Sequence, residues 1–380
     1  MKAFKKCLAA AVALASVFTL SGCAKNTASA RVATTANWNT RVSTVVEKDS
    51  LDFWQSNMEV AQYSASFKAN ENSKYSLSYD TAAAEYTTWF YAEAAYDWTS
   101  TDIPEEYRSE EAYSEPVYVL KTEMKIHGVF KMNASDDEKQ FDDELVSECK
   151  FRLAGDNLQP VYSYQKVVNT SPNHLSPNSI SQAYVQVDSV YEIFYNRGCS
   201  QAIVKTTDNL AKDNKTSENK ISLSTKAGYS VFDNSQLIAA FRSFTKTGGS
   251  SRTFNTLVPQ NLNTQISTAT VSLPIELNPD DEEQKGILDA LTNAPEGYVF
   301  FDGTPSSEEA QKKNIRFNAV SLGMNAYLTG QSPTYWYSTV ENADVNTTRC
   351  VLLKTVRPLS FGLGTLSYTL KSLNVEKIEK

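Results

Sequence analysis

The chain has 380 residues, of which 41% are hydrophobic, 11% are aromatic and only 21% are charged. This composition excludes an intrinsically disordered chain, because disordered segments are poor in aromatic and aliphatic side chains. The formal net charge is −8, and since a negative field repels phosphates, no nucleic-acid partner is expected.

A secretory leader is predicted over residues 1–22. It begins with Lys2, Lys5 and Lys6, continues without charge from residue 8 to residue 20, and ends in Leu20-Ser21-Gly22-Cys23. The uncharged run is shorter than the roughly 20 residues that a membrane-spanning helix needs, and small residues before the cysteine suit a cleaving peptidase.

The ending of this leader resembles the signal of bacterial lipoproteins, in which Leu, a small residue and Gly or Ala precede the cysteine. The resemblance implies that Cys23 becomes the first residue and carries diacylglyceryl with acyl chains such as palmitate. Such chains anchor a protein stably, so we expect a lipid-anchored protein on the extracytoplasmic side of a bacterial cell membrane. A plain signal peptide with an incidental cysteine is the alternative.

The residues after the leader divide into two parts. Residues 23–37 are small, polar and aperiodic, which predicts a lipidated flexible tether. Residues 38–380 form the predicted extracytoplasmic body.

The body is predicted to be rich in antiparallel strands. Residues 117–132 alternate in hydropathy, which predicts one strand, or two strands kinked near Gly128. Residues 145–153 and 158–168 flank a turn sequence, as do residues 185–195 and 201–206, so two hairpins are expected. Further strands are predicted over residues 221–232, 252–258, 265–277, 315–328, 334–340, 350–356 and 364–373.

Helices are predicted to be few and short. Ser235 is the expected cap of a helix over residues 236–244. A second helix over residues 280–291 begins with four acids, which favour a helix N-terminus, and it lies in a predicted insertion at 278–313. The stretch 169–180, which contains two prolines, is the candidate boundary between two halves.

Three segments of the body follow one another in a particular order. They are Leu158-Gln159-Pro160-Val161-Tyr162-Ser163-Tyr164, Tyr195-Asn196-Arg197-Gly198, and Phe232-Asp233-Asn234-Ser235-Gln236-Leu237 with Arg242. In this order they resemble β-rich bacterial envelope proteins related to the LolA-type lipoprotein carriers, over residues 110–373. The resemblance implies a mainly β fold of strongly curved, half-barrel-like antiparallel sheets with a few short helices. It also implies a concave face that holds an apolar ligand such as an acyl chain.

Cysteine and histidine are scarce. Once Cys23 carries lipid, Cys149, Cys199 and Cys350 remain in the body, so at most one internal disulfide forms, and the sequence leaves open whether it does. The only histidines are His127 and His174, and the chain has no CxxC motif. No metal site is therefore expected, and each histidine is interpreted as solvated or hydrogen-bonded.

No catalytic or cofactor motif occurs in the sequence. The nucleophile-elbow, zinc-protease, P-loop and dinucleotide-binding patterns are all absent. Residues 248–251 and 301–304 are interpreted as turns. The acidic runs 136–138, 142–144 and 280–283 are expected at the surface. We therefore expect no enzyme activity and no cofactor.

Aromatic residues cluster in two segments, residues 86–98 and 327–337. Aromatic faces stack on sugars or line apolar grooves, although the same residues are good strand formers that fill β cores. The candidate ligand contacts are Trp89, Tyr91, Tyr335 and Trp336.

These observations predict a membrane-anchored, non-enzymatic lipoprotein that binds a hydrophobic or envelope-derived ligand, such as a lipid or another envelope component. The alternative is an interaction or structural lipoprotein that recruits an envelope protein or cell-wall glycan through an aromatic surface. An enzyme with an unrecognised carboxylate site is the third hypothesis.

Overall fold

The structure is a computed structural model. It describes residues 51–71, 75–132, 138–154, 157–169, 186–223, 230–242, 251–273, 275–292, 315–323, 333–340, 351–359 and 363–379. The predicted leader, Cys23, the predicted tether and nearly all of the stretch 169–180 lie outside these residues. Within the described part, no helix is long and apolar enough to cross a membrane.

Strands dominate the described chain. They are β1 Asn57–Ala69, β2 Tyr75–Tyr79, β3 Glu85–Asp97, β4 Ser114–Met132, β5 Glu138–Ala154, β6 Asn157–Asn169, β7 Val187–Tyr195, β8 Gln201–Asp208, β9 Lys215–Ser222, β10 Val231–Asp233, β11 Ser251–Val258, β12 Asn263–Val271, β13 Ile275–Glu276, β14 Ile315–Gly323, β15 Thr334–Val340, β16 Leu352–Pro358 and β17 Gly364–Lys377. The described α-helices are α1 Leu51–Ser56, α2 Leu237–Phe241 and α3 Glu282–Thr292. Single 3₁₀ turns occupy Glu105–Tyr107, Asn234–Gln236 and Pro259–Asn261. The predicted mainly β fold with short helices is confirmed.

All 17 strands belong to one sheet. The pairing runs β9-β8-β7-β6-β5-β4-β3-β1-β17-β16-β15-β14-β12-β11-β10, with β2 also beside β4 and β13 beside β14. Neighbouring strands are antiparallel except β10 and β11, which are parallel. The N-terminal and C-terminal strands β1 and β17 pair in the middle of the sheet, so both chain halves share it.

The sheet curves so strongly that its end strand β10 lies against strands of the other half of the sheet. Side chains of β10 and the following 3₁₀ turn hydrogen-bond to Gln165 of β6. Within the described residues, the end strands β9 and β10 are not paired with each other, so the sheet is not closed into a barrel. We call the side that this curvature encloses the inner face.

The main hydrophobic core lies on the inner face. It combines side chains of β1, β3, β4 and β5 with those of β15, β16 and β17, and it includes Trp54 of α1 and Phe241 of α2. A second cluster joins the inner side of β6 to β9 with β10 and β11. A third, containing Trp98 and Tyr107, packs the segment after β3 on the other side of the sheet.

Most strand predictions agree with the structure, and the differences have local causes. The two hairpins are confirmed as β5–β6 and β7–β8. The strand predicted over residues 221–232 is wrong in its bounds, since β9 ends at Ser222 and β10 begins at Val231. The strand predicted over residues 265–277 is divided in the same way, because β12 ends at Val271 and the short β13 begins at Ile275.

Gly128 lies inside a continuous β4 rather than at a break between two strands. It is opposite Phe141 of β5 and Tyr79 of β2. A β-carbon at this position would lie 2.6 Å from the backbone oxygen of Ser78 and closer still to the Phe141 ring. The glycine therefore makes room for the aromatic ring across the strand.

The short helix after β10 begins earlier than predicted. The cap is Asp233, which accepts a hydrogen bond from the Ser235 backbone N–H, while Gln236 completes a capping box. The 3₁₀ turn at Asn234–Gln236 then leads into α2. Ser235 was expected as the cap, but Asp233 takes that role because its carboxylate reaches the free N–H groups of the first turn.

Candidate functional site

The side chains of β3 that lie on the inner face are not the ones predicted as ligand contacts. Tyr86, Thr88 and Phe90 point to the inner face and are buried. Trp89 and Tyr91 alternate with them on the other face and are half-buried. This follows from the two-residue period of a strand.

A row of polar side chains crosses the inner face. Thr88 of β3, Thr122 of β4, Ser147 of β5 and Gln165 of β6 are direct cross-strand neighbours. All four are buried. The row ends where Gln165 donates to Asn234 Oδ1 at 2.6 Å and to Asp233 Oδ1 at 3.2 Å.

Asp233 is the centre of a buried polar network in which the sheet returns on itself. Its side chain is fully buried, and Tyr195 Oη donates to Asp233 Oδ2 at 2.6 Å. Gln236 Nε2 donates to the Leu158 carbonyl at 3.4 Å. The three segments on which the family resemblance was based therefore contact one another here. Since buried polar groups are costly without partners, this network holds β10 against β5 to β7.

Burial controls the ionisation of this network. It raises the pKa of the Asp233 carboxyl above its ordinary value, although hydrogen bonds from Ser235 and Tyr195 oppose the effect. Burial also raises the pKa of the Tyr195 hydroxyl. The hydroxyl therefore keeps its proton and donates to the carboxylate.

A buried ion pair lies elsewhere on the inner face. Arg242, after α2, donates to both carboxylate oxygens of Glu59 on β1, with Nη1 3.2 Å from Oε2. The guanidinium carbon also lies 5.4 Å from the centroid of the Phe90 ring. The charge of this arginine is thus compensated by protein groups.

Arg357 on β16 differs from Arg242, because no acidic side chain of the described residues pairs with it. Only 8% of the residue is exposed, its Nε atom has no hydrogen-bond partner, and its side chain forms no ion pair within the described chain. Its guanidinium carbon lies 5.8 Å from the centroid of the Tyr368 ring.

Several hydroxyl groups around Arg357 are also buried, and none of them has a hydrogen-bond partner in good geometry. They belong to Tyr86 of β3, Tyr335 of β15, Tyr368 of β17 and Thr355 of β16. Thr355 is the cross-strand neighbour of both Tyr335 and Tyr368, and the rings of Tyr86 and Tyr368 meet edge to face at 5.0 Å. We call Arg357 with these four residues the Arg357 cluster.

The positive charge of Arg357 acts on the three tyrosines of this cluster. Burial raises the pKa of Tyr86 to about 12 and raises the pKa values of Tyr335 and Tyr368 as well. For each of the three, the positive charge of Arg357 opposes this rise, and at Tyr86 the neighbouring Thr355 hydroxyl opposes it as well. The hydroxyls therefore remain protonated at neutral pH and are hydrogen-bond donors.

Neighbouring tyrosines of the inner face have partners, which sets the Arg357 cluster apart. Tyr63 donates to the Leu352 carbonyl at 3.1 Å, and Tyr337 donates to the Ile238 carbonyl at 2.9 Å. The missing partners are thus a local property of this cluster and not of inner-face tyrosines in general.

The opposite side of the same strands carries a cleft of about 720 Å³ beside α3. Lys354 of β16 lies at this cleft, with its Nζ 2.5 Å from Glu283 Oε2. Thr369 of β17 donates to Glu283 Oε1 at 2.6 Å. Glu283, one of the acids predicted at the helix N-terminus, thus fastens α3 to β16 and β17.

The structure separates the four predicted ligand contacts. Tyr335 belongs to the inner face and to the Arg357 cluster. Trp336 faces the other way, where Lys354 Nζ lies 4.8 Å from its ring centroid. Tyr91 also faces away, with Lys121 Nζ 5.8 Å from its ring centroid, and Trp89 shares that face. Cys23 lies outside the described residues.

The remaining chemically reactive residues form no second site in the described part of the chain. His127 Nδ1 lies 2.9 Å from Asp142 Oδ1, as expected of a hydrogen-bonded surface histidine. Cys149 and Cys199 are free thiols, and burial raises the pKa of both. His174 and Cys350 lie outside the described residues, and no metal-binding group is found among the described ones.

One acidic run does not lie wholly at the surface as expected. Asp142 is exposed and Glu144 contacts Lys166 at 2.7 Å, whereas Asp143 is only 3% exposed. The reason is strand alternation in β5, which turns Asp143 to the inner face.

Sequence reasoning missed Arg357 and its cluster. The alternation of Lys354, Thr355, Val356 and Arg357 along β16 is the available signal, because it places Thr355 and Arg357 on one face. Nothing in the sequence indicates that Arg357 lacks an acidic partner, since that depends on strands from both chain halves.

Comparison with known proteins identifies no family. No protein-family profile matches the chain, and no curated protein matches it significantly. Among solved structures, it is similar to a β-barrel-like protein of a domain of unknown function, DUF1849, from Brucella abortus, with 9% sequence identity and a TM-score of 0.41. The match covers 86% of this chain and 99% of the other. A similarity at this level implies no shared function.

Proposed function

We propose that this protein is a lipid-anchored, non-enzymatic lipoprotein on the extracytoplasmic side of a bacterial membrane, and that it binds a hydrophobic or envelope-derived ligand on its inner face. The observation that carries the binding proposal is the Arg357 cluster, a group of buried polar atoms without partners in an aromatic surrounding. The leader ending at Cys23 supports the anchoring.

The unpartnered atoms support a ligand because native proteins rarely leave such atoms together. Most buried polar atoms in folded proteins have a hydrogen-bond partner, and each one without a partner carries a free-energy cost. Five such atoms from four strands meet here. Ligand sites in proteins combine an apolar lining with a few convergent polar groups, which matches this composition.

The outer-face aromatics support ligand binding less well. A sugar stacks on an open aromatic ring face, but the side chains of Lys121 and Lys354 lie over the rings of Tyr91 and Trp336. These cation–π contacts compete with stacking on those faces. The interaction hypothesis with a glycan partner therefore ranks second.

The size of the expected effect follows from apolar burial. An acyl chain that buries on the order of 300 Å² gains up to roughly 7 kcal/mol at about 25 cal/mol per Å², before association costs are subtracted. Affinities in the micromolar range are therefore expected.

The test is a titration of the full chain carrying Cys23→Ser with a fluorescent fatty-acid probe, together with native mass spectrometry for co-purified lipid. Tyr335→Leu changes the inner face, and Trp336→Leu, the adjacent residue on the same strand, is the matched outer-face control. We expect saturable binding that Tyr335→Leu weakens and Trp336→Leu leaves unchanged, with both variants checked for folding by circular dichroism.

The opposite pattern, or no binding of any lipid by a folded sample, would contradict the proposal. Loss of partner recruitment in Trp336→Leu alone would favour the interaction hypothesis instead.

A further inference from the structure

We propose that the Arg357 cluster binds the anionic headgroup, a carboxylate or phosphate, of an amphiphile whose apolar chain lies along the inner face. This inference rests on the proposed ligand-binding function and names the chemistry of the ligand. It concerns an internal oxyanion site that no sequence motif indicates.

The first argument is charge. An arginine side chain stays charged in proteins, so the Arg357 cation is buried without an acidic partner whenever the site is empty. Arg242 on the same face has Glu59 as its partner, which shows how this fold compensates a buried arginine that serves stability. Within the described residues, no carboxylate pairs with Arg357 as Glu59 pairs with Arg242. The charge of Arg357 is therefore available to an external anion.

The second argument is donor chemistry. The hydroxyls of Tyr86, Tyr335 and Tyr368 keep their protons at neutral pH, because burial raises their pKa values. Arg357 Nε also has no partner. An oxyanion accepts several hydrogen bonds at once, and charge-assisted bonds of this kind are stronger than neutral ones. Because Arg357 can only donate and carries a positive charge, the cluster suits an anionic acceptor better than a cation.

One nearby carboxylate opposes a bound anion and has to be considered. Asp143 of β5 is buried on the inner face and raises the pKa of Tyr368, but less than Arg357 lowers it. Asp143 has an interaction of its own. Arg357 is thus the dominant charge at these hydroxyls, and the local field favours an anion.

The third argument is the surrounding surface. The rings of Tyr63, Tyr86 and Tyr368 lie next to one another, with centroids 4.7 Å and 5.0 Å apart, and Tyr335 lies 5.5 Å from Phe241. A small free anion needs no such apolar surface, whereas an amphiphile uses both the donors and the rings.

The experiment compares ligands that share a chain of about 16 carbons, a length on the scale of common acyl chains, and that differ in the headgroup. The full chain carrying Cys23→Ser is titrated with hexadecanoate, hexadecyl phosphate and hexadecanol, and separately with acetate and inorganic phosphate. We expect one or both anionic amphiphiles to bind at least tenfold more tightly than hexadecanol, and acetate and phosphate to bind far more weakly.

Arg357→Met should abolish the preference for anions and leave hexadecanol binding within about twofold. The matched control is Lys354→Met, which removes a 9% exposed cation from the same strand on the opposite face and should keep the preference. Because Arg357 has no partner, Arg357→Met should unfold at no lower urea concentration than the parent chain.

If Arg357→Met fails to fold, the double variant Tyr86→Phe/Tyr335→Phe, which removes only hydroxyls, should reduce the preference by at least fivefold.

The outcomes separate this inference from the proposed function. Equal affinities for hexadecanoate, hexadecyl phosphate and hexadecanol would overturn the headgroup site while leaving a hydrophobic ligand in place. If acetate or inorganic phosphate binds as tightly as the amphiphiles, the apolar chain contributes nothing, and the proposal that the ligand is an amphiphile is wrong. No binding of any of these compounds by a folded sample would overturn both.

Discussion

Arg242 and Glu59 form a buried ion pair across the inner face, although 183 residues separate them in the chain. The contact joins the residue after α2 to β1, the first strand of the described residues. It therefore connects the C-terminal half of the protein directly to that strand.

Replacing Arg242 with Met is expected to lower the free energy of unfolding by about 3–5 kcal/mol, because the Glu59 carboxylate stays buried without its cation. Urea unfolding followed by tryptophan fluorescence measures the change. The double variant Arg242→Met/Glu59→Gln is the control and should lose less stability than the single variant, since no uncompensated charge remains. An equal or larger loss in the double variant would contradict this account.

Replacing Gly128 with Ala is expected to lower the free energy of unfolding by about 1–3 kcal/mol, because the new methyl group overlaps the Phe141 ring and the Ser78 backbone oxygen. The matched control is Gly286→Ala in α3, where the added methyl group meets nothing within 4 Å. Since Ala favours helix over Gly, this control should be stabilised by up to about 1 kcal/mol. Both values come from urea midpoints, and an unaffected Gly128→Ala protein would show that β4 and β5 repack freely.

Asp233 is expected to make stability depend on pH. Burial raises the pKa of its carboxyl above the ordinary value of 3.8, so the native state keeps this proton to higher pH than the unfolded chain does. The stability that this raised pKa contributes to the native state is fully present below the ordinary pKa and is lost as pH rises through the raised pKa.

The comparison is between the parent chain and Asp233→Asn, with unfolding free energies measured at closely spaced pH values from about 3.5 to 7. The parent should lose stability relative to the variant as pH rises within this range. Parallel pH profiles would refute the assignment, because the variant lacks the titrating group.

Replacing Cys23 with Ser is expected to abolish membrane attachment, because the thiol that accepts diacylglyceryl is gone. Metabolic labelling with an alkyne fatty acid and membrane sedimentation measure the effect. Cys199→Ser is the control and should keep both label and attachment. A Cys23→Ser protein that is still labelled and still sediments with membranes would disprove the lipoprotein prediction.

The agreement between sequence and structure follows the local character of each signal. Strand β4 and the hairpins β5–β6 and β7–β8 were predictable, because alternation and turn residues act within a few positions. The cap of the helix after β10 was assigned to Ser235 instead of Asp233, since both residue types are suitable caps and only the backbone geometry selects one.

The same limit applies to the candidate site. Tyr335 and Trp336 are adjacent, and the sequence treats them alike as aromatic residues in a strand. Strand alternation requires that they face opposite sides, but which side is enclosed depends on how the sheet curves. Asp143 illustrates the same point. The sequence shows that it faces the opposite side from Asp142 and Glu144, but not that this side is buried.

By itself, the sequence determined the strand-rich composition, most strand positions, the two local hairpins and the predicted leader with its lipobox-like ending. These depend on residue type, period and short-range turn chemistry. The tertiary structure alone decided that β1 pairs with β17, that Asp233 meets Gln165 and Tyr195, and that Arg242 has an acidic partner whereas Arg357 does not. The physical reason is that each of these contacts joins residues from distant parts of the chain, and their charges and hydroxyls acquire or lack partners only when the curved sheet brings those strands together.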